Sequence, residues 1–393
     1  MSVFDKCYAF TRAEEAQAMG IYPYFTPIQE IYGNKIKADG REMIMVGSNN
    51  YLGLLDDPKV MQAAKDAVDK YGVATCGSRF LNGTLDIHVE LEERLAKYLK
   101  KEEALAFSTG FQTNQGVICT LVGKDEVVIT DRMDHASIID ACRLSYGKVL
   151  WFKHNDIEDL EKVLSSLDSD SPVLVAVDGV FSMEGDLTDL PGIVTLKKKY
   201  DFKLLVDDAH GLGVMGENGR GTAEHFGLED EVDLIIGTFS KAFASLGGVV
   251  AGEAKVISYI KHHARALIFS ASITPASVAT VIATLDIIEK EPERRKRLWE
   301  ITEKMKSGFQ AMGYDTGPSE TPIIPLMIGE DVRTFMLWRY LREAGIFTNP
   351  VIFPAVPPNQ AMIRTSYSAS HSDLELNTVL ECFEECGKKL GII

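Results

Sequence analysis

Leu204-Leu205-Val206-Asp207-Asp208-Ala209-His210 and, further along, Leu234-Ile235-Ile236-Gly237-Thr238-Phe239-Ser240-Lys241 decide how this chain is read. Each begins as an apolar run and ends on residues that carry chemistry. A strand buried on both faces reads as such a run, whereas a half-wet strand alternates with period two. In open α/β sheets ligands bind beyond the carboxyl ends of the strands. A carboxylate, an imidazole, two hydroxyls and a lysine are therefore aimed at one place.

Working outward, Leu105–Phe107, Val127–Ile129 and Val173–Val177 are further strand candidates. Between them Ile157, Leu160, Leu164 and Leu167 recur at helical spacing after the capping candidate Asn155, and Val60, Ala64, Ala67 and Tyr71 do so earlier. This alternation predicts an α/β fold with a mostly parallel sheet. After Thr274-Pro275 one long helical stretch is expected through Leu285 into the charged run Glu289–Arg297, read as a solvated face. Ser372-Asp373-Leu374-Glu375 is a capping box opening the last helix. The expected division is an N-terminal arm (1–45), a large cofactor-binding domain (46–290) and a small C-terminal α+β domain (291–393).

Composition narrows the function. A chain of 393 residues has room for about two domains and a substantial core. Its formal charge of -16 argues against nonspecific binding to nucleic acid, which needs a basic face. Asp5, Lys6, Arg12 and Glu14 interrupt the region where a signal peptide would be apolar. No uncharged apolar run approaches the roughly 18–20 residues that span a bilayer, since Lys241 breaks the stretch from Leu234 to Val250. The expectation is a cytoplasmic protein, soluble or at most peripheral at the inner membrane, with no transmembrane segment. The six cysteines form no CxxC pair and read as reduced thiols. Cys382 and Cys386 have a spacing that would suit a helical metal site, but no histidine flanks them and core packing is the expectation, with no metal.

A pyridoxal ring would use the polar cluster well. A carboxylate such as Asp207 beside the pyridine nitrogen keeps it charged and strengthens the ring as an electron sink. Lys241 can form an imine, and the Thr238 and Ser240 hydroxyls can bind phosphate. Ser108-Thr109-Gly110-Phe111 offers an anion-binding turn at the start of a helix, and Asp134-His135-Ala136-Ser137 places an imidazole that could stack on a planar ring. Read singly, these residues have ordinary explanations: a helix cap, a surface Ser-Lys pair, a glycine turn, a core histidine. Their order and company point to chemistry.

The ordered set Ser48-Asn49-Asn50-Tyr51-Leu52-Gly53-Leu54, Ser108–Phe111, Asp134–Ser137, Val180-Phe181-Ser182-Met183-Glu184-Gly185-Asp186, Val206–His210, Gly237–Lys241 and Ile363-Arg364 resembles the α-oxoamine synthases over nearly the whole chain. These are pyridoxal-phosphate enzymes of fold type I, aspartate aminotransferase-like, that condense an amino acid with an acyl-CoA and release carbon dioxide. The resemblance implies that Lys241 holds the cofactor and moves the α-proton, that His135 stacks on the ring, and that Asp207 pairs with its nitrogen. It assigns His210 and Ser182 to the phenolic oxygen, and Thr109, Gly110, Phe111, Thr238 and Ser240 to the phosphate cup. Ser270-Ala271-Ser272 resembles a segment contributed by the neighbouring subunit, which implies a homodimer with shared active sites. Arg364 matches the arginine that holds the substrate carboxylate, and Asn49 a position near the bound substrate.

Within the family, Gly20–Gln29, Gly77–His88, Phe239–Gly248 and Asn349–Pro357 look like the soluble bacterial members that use L-serine and a long-chain acyl-CoA, palmitoyl-CoA. Members that use glycine and acetyl-CoA come second, because they carry a Leu-Gly pair where Phe239 and Ser240 stand. Aminotransferases of the same fold are the alternative from a different class.

Overall fold

The computed structural model describes residues 2–393 and divides into two compact units. One comprises the chain up to Ser48 with Glu300–Ser319 and Ile323–Ile393; the other comprises Asn49–Trp299 with Glu320–Pro322. The strands in chain order begin with β1 (Ile28–Tyr32), β2 (Lys35–Ala38) and β3 (Arg41–Met45). Next come β4 (Glu103–Phe107), β5 (Val127–Asp131), β6 (Lys148–Phe152), β7 (Val173–Asp178), β8 (Lys203–Asp207), β9 (Leu234–Thr238) and β10 (Gly248–Gly252). The last are β11 (Ile323–Gly329), β12 (Ile346–Phe347), β13 (Asn349–Val351) and β14 (Ala361–Ser366).

In the larger unit seven strands form one sheet in the order β4-β10-β9-β8-β7-β5-β6. Every pairing is parallel except those of β10, which runs antiparallel to both neighbours. All five strand candidates lie inside this sheet, and their unbroken apolar runs follow from burial on both faces: β5 and β9 are buried at every position. On one face Leu105, Phe107, Ile236 and Val250 meet Val117, Ile118 and Ile138 from the helices Gly110–Leu121 and Ala136–Leu144. The parallel topology brings the carboxyl ends of β5, β7, β8 and β9 to one edge. β4, antiparallel to β10 as β9 is, ends there too.

The smaller unit contains the sheet β1-β2-β3-β12 and the sheet β11-β14-β13. Its core gathers Phe309, Trp338, Tyr367 and Phe383 around Val46 and Ile363. Residues 41–45, expected within an N-terminal arm, are sheet members here, because β3 pairs in parallel with β12 through Ile44–Ile346 and Met45–Phe347.

Three local readings need correction. Asn155 does not cap the helix Ile157–Ser165; its φ is 50°, and Asp156 caps instead, accepting from the Asp159 amide. Leu167 lies beyond that helix. The long helix expected through Glu289–Arg297 is two helices, Pro275–Lys290 and Pro292–Met312. Proline lacks the amide hydrogen that a continuous helix would use, and it opens a new first turn without penalty. The Ser372 capping box is present, with Ser372 and Glu375 bonded reciprocally.

Candidate active site

The strand-end edge of the larger unit holds a cavity of about 290 Å³. Thr109, Gly110, Phe111, His135, Ser182, Asp207, His210, Thr238, Ser240 and Lys241 all line it. They come from the ends of five strands, β4, β5, β7, β8 and β9, either from the last residue or from the few that follow it, so sheet topology assembles residues that are 132 positions apart at the extremes, from Thr109 to Lys241.

Thr109 caps the helix Gly110–Leu121, accepting from the Gln112 amide at 3.1 Å. The positive end of that helix therefore faces the cavity. Gly110 is needed because a Cβ there would lie 2.8 Å from both Cβ and Oγ1 of Thr238. The absence of a side chain lets the helix start approach the hydroxyls of Thr238 and Ser240, which are 3.0 Å apart. Backbone amides and two hydroxyls thus converge on one spot, a donor set that suits a phosphate.

Asp207, in the same cavity, is fixed on both oxygens. Oδ1 accepts from the Ala209 amide at 2.9 Å and Oδ2 from Asn114 Nδ2 at 2.6 Å. Asn114 also donates to Ser137 Oγ at 2.9 Å, while its own carbonyl oxygen is buried without a hydrogen-bond partner. Ser137 in turn meets His135: its amide donates to Nδ1 at 3.2 Å and its hydroxyl lies 2.7 Å from the same nitrogen. An Nδ1 that accepts an amide hydrogen leaves the imidazole proton on Nε2. Burial pushes the His135 pKa down, outweighing the favourable charge of Asp207, so the ring is neutral near pH 7. Opposite, His210 Nδ1 and Tyr51 Oη share a hydrogen bond of 2.7 Å, and Tyr51 donates to Asn49 Oδ1 at 3.3 Å.

Beneath His135 lies a set of buried carboxylates. Asp178 Oδ2 accepts the His135 amide at 2.6 Å, and Asp134 Oδ1 accepts the Asp178 amide at 2.7 Å. Burial, then the charge of Asp131, raises Asp134 to about 8. Burial, then Asp134 and Asp207, raises Asp178 well above the ordinary carboxylate value.

Known proteins resemble this chain over nearly its full length. The family described as aminotransferase class I and II matches residues 41–383. A serine palmitoyltransferase of Sphingobacterium spiritivorum is 50% identical over 95% of this chain and 93% of its own length, and one of Bacteroides ovatus is 46% identical over 99% of each. An 8-amino-7-oxononanoate synthase of Thermoanaerobacter pseudethanolicus is 42% identical over the full length of both. The chain belongs to the class I and II aminotransferases, in their α-oxoamine synthase branch. Among solved structures, a serine palmitoyltransferase from S. paucimobilis carrying a pyridoxal-phosphate–myriocin aldimine superposes with a TM-score of 0.96 at 35% identity, covering 99% of this chain and 98% of that one. This α-oxoamine synthase therefore has the α/β fold type I architecture expected from its motifs.

Not every expected site residue enters the cavity. Ser270, Ala271 and Ser272 lie outside it: Ser270 Oγ accepts from Gln112 at 3.1 Å, Ser108 donates to the Ala271 carbonyl, and Ser272 donates to the Gly83 carbonyl at 2.7 Å. Asn49 does not line it and is linked to it through Tyr51. Arg364 belongs to the smaller unit, buried in the middle of β14. Asn114, Ser137 and Asp178 also line the cavity, beyond the site residues that the motifs name. Asp178 had a signal, an acid directly after the run Val173–Val177, as at Asp207. Asn114 had only its place one helical turn beyond Gly110, which gives no hint that its amide meets a strand-end carboxylate.

Proposed function

We propose that the chain catalyses the decarboxylating condensation of L-serine with palmitoyl-CoA, giving 3-ketodihydrosphingosine, coenzyme A and carbon dioxide. The observation that carries the reading is the convergence of Lys241, Asp207, His210 and His135 on one cavity in a chain whose curated relatives include serine palmitoyltransferases. Pyridoxal 5'-phosphate fits the residues present: a helix start and two hydroxyls for the phosphate, with a fixed carboxylate and a lysine lining the same cavity. When bound, the cofactor supplies an electron sink for negative charge at the α-carbon of the amino acid.

Lys241 supplies the amine that binds the cofactor carbonyl, and its Nζ carries the proton to and from the serine α-carbon. Asp207, held by Asn114 and its own backbone turn, keeps the ring nitrogen charged. Neutral His135 presents a flat face to the ring and excludes water from it, while His210, oriented by Tyr51, and Ser182 serve the phenolic oxygen. Thr109, Gly110, Phe111, Thr238 and Ser240 form the phosphate cup. Arg364 is assigned to the substrate carboxylate, and Asn49 to the substrate side, on their motifs; a guanidinium grips a carboxylate in bidentate fashion. Orientation at the ring then selects which bond at the α-carbon breaks.

Ser270–Ser272 are read as serving the phosphate cup of a second copy, which makes the working form a homodimer with shared sites. Their position outside their own chain's cavity supports this, as does the exposed apolar Phe269 beside them, 74% accessible. No described helix is long and apolar enough to cross a membrane, in keeping with a cytoplasmic, soluble or peripheral enzyme.

The decisive experiment offers the purified protein serine, glycine, alanine and threonine against a ladder of acyl-CoAs, with products identified by mass. Serine with palmitoyl-CoA should give the long-chain ketone and carbon dioxide. Product only from short acyl-CoAs, or amine-form cofactor from serine without a thioester, would overturn the reading.

A further inference from the structure

Behind the cavity, His154 stands between two carboxylates that the reaction does not use. Its Nδ1 lies 3.1 and 3.2 Å from the oxygens of Asp131, and its Nε2 lies 3.0 Å from Asp186 Oδ2. The Asp131 side chain is 1% exposed and that of Asp186 9%. Both acids are already acceptors. Asp131 takes the amides of Met133 and Asn155 at 2.8 and 2.9 Å, and Asp186 Oδ2 takes Asn155 Nδ2 at 3.0 Å. A neutral imidazole donates from one nitrogen only, so two accepting carboxylates demand the doubly protonated ring.

The two carboxylates sit on segments that build the cavity. Asp131 ends β5, immediately before the loop that carries His135, and Asp134 in that loop takes the Asp131 amide at 2.8 Å. Asp186 closes the turn that carries Ser182: its carbonyl accepts the Phe181 amide at 3.0 Å, and Gly185 donates to the Phe181 carbonyl at 2.9 Å. The Phe181 ring meets the His154 ring edge-on, with centroids 4.4 Å apart. Next to His154, Asn155 donates to the Leu187 carbonyl at 2.9 Å and accepts the Asp189 amide at 3.1 Å, stitching the far side of the same turn.

We propose that His154 is a positioning residue for the cofactor site: as a doubly donating imidazolium it ties the end of β5 to the Phe181–Asp186 turn and so holds the Ser182 and His135 segments in register.

The charged groups facing it are Asp131 from β5 and Asp186 from the turn, with Glu184 in the same turn also within reach of its charge. Burial opposes the charge on His154, but the hydrogen bonds to Asp131 and Asp186 outweigh it and raise its pKa to about 10. The turn is bonded independently at Gly185, whose carbonyl accepts from the Glu320 amide at 3.0 Å and from Thr321 Oγ1 at 2.9 Å. Loss of His154 therefore loosens the turn without releasing it altogether.

The inference rests on assigning the cavity to pyridoxal phosphate, and the test separates the two. In His154→Gln both donors sit on one nitrogen and the other end of the amide is an accepting oxygen, so the two-ended donation of the imidazolium is lost. Amide exchange in residues 180–187 should accelerate and the dissociation constant for pyridoxal phosphate should rise, each by about tenfold or more, the loss expected when a buried carboxylate loses one charge-assisted hydrogen bond. Exchange in the helix Pro275–Lys290 should stay unchanged. Unchanged exchange in 180–187 with unchanged affinity, or equal acceleration everywhere, would overturn the proposal. Independently of any variant, nitrogen NMR of the wild-type holoenzyme at about pH 8 should show both His154 ring nitrogens protonated, and a neutral ring would refute it. Failure of the cofactor assignment shows differently: the wild-type protein would then lack a borohydride-reducible absorbance, or Lys241→Ala would keep it, whatever His154 does.

Discussion

Lys241 alone is a lysine after an apolar run, and its meaning comes from what the cavity places around it. Lys241→Ala should therefore abolish both turnover and the borohydride-reducible cofactor absorbance while leaving the circular dichroism of the fold intact. Asn114 is the more informative position, because its amide is the 2.6 Å donor to the Asp207 carboxylate. Asn114→Ala removes a hydrogen bond to a charged group, worth about 1.5–3 kcal/mol, so cofactor affinity should fall by roughly tenfold or more. Absorbance titration of the apoenzyme measures it, and affinity within twofold of wild type, about the error of such a titration, would mean that Asp207 is held by its backbone turn alone. Residues of this second kind were illegible in the sequence. Asp207 and Lys241 stand next to the runs that announce strands, whereas the role of Asn114 depends on which strand end its helix is packed over.

At the scale of the element, the start of the helix Gly110–Leu121 is shaped by a missing side chain. A Cβ at position 110 would meet Thr238, a β-branched residue whose hydroxyl is tied to the Gly247 carbonyl at 3.1 Å and cannot swing aside. Gly110→Ala should push the helix start away from Thr238 and Ser240, weakening phosphate binding more than it weakens the fold; comparing the cofactor dissociation constant with the urea midpoint separates the two. The loop Gly77–His88 behaves differently. Arg79 and Glu92 form a buried bidentate pair at 2.7 and 2.9 Å, and Glu92 also accepts the Ala106 amide in β4. Arg79→Ala would strand a buried carboxylate, and urea unfolding should register a loss of about 3–5 kcal/mol. Element boundaries followed the same divide. Apolar runs located five strands, but β10 lay hidden in the apolar stretch after Lys241, since direction and pairing leave no mark on composition.

For the molecule as a whole, buried and half-buried titratable groups set the response to pH. His154, raised from 6.5 to about 10, binds its proton more tightly folded than unfolded, so its contribution is complete below about 6.5 and lost as the pH climbs through about 10. Asp134, raised by burial from 3.8 to about 8, acts in the same direction over a lower window, because between those values the folded state holds a proton that the unfolded chain gives up, so it adds to the fall only up to about pH 8. Thermal stability should fall between about pH 6.5 and 10, and His154→Gln should flatten the upper part of that slope; a wild-type curve that is level across this window would contradict both assignments. The sequence by itself determined the α/β class, the cofactor chemistry and the residues at the strand ends, because burial on two faces writes an unbroken apolar run and the chemistry follows directly after it. Only the tertiary structure decided which distant residues hold those groups still. Asn114 on Asp207, Tyr51 on His210 and His154 between Asp131 and Asp186 are hydrogen bonds across separate elements, and their geometry depends on strand order and helix placement, which leave no periodic trace along the chain.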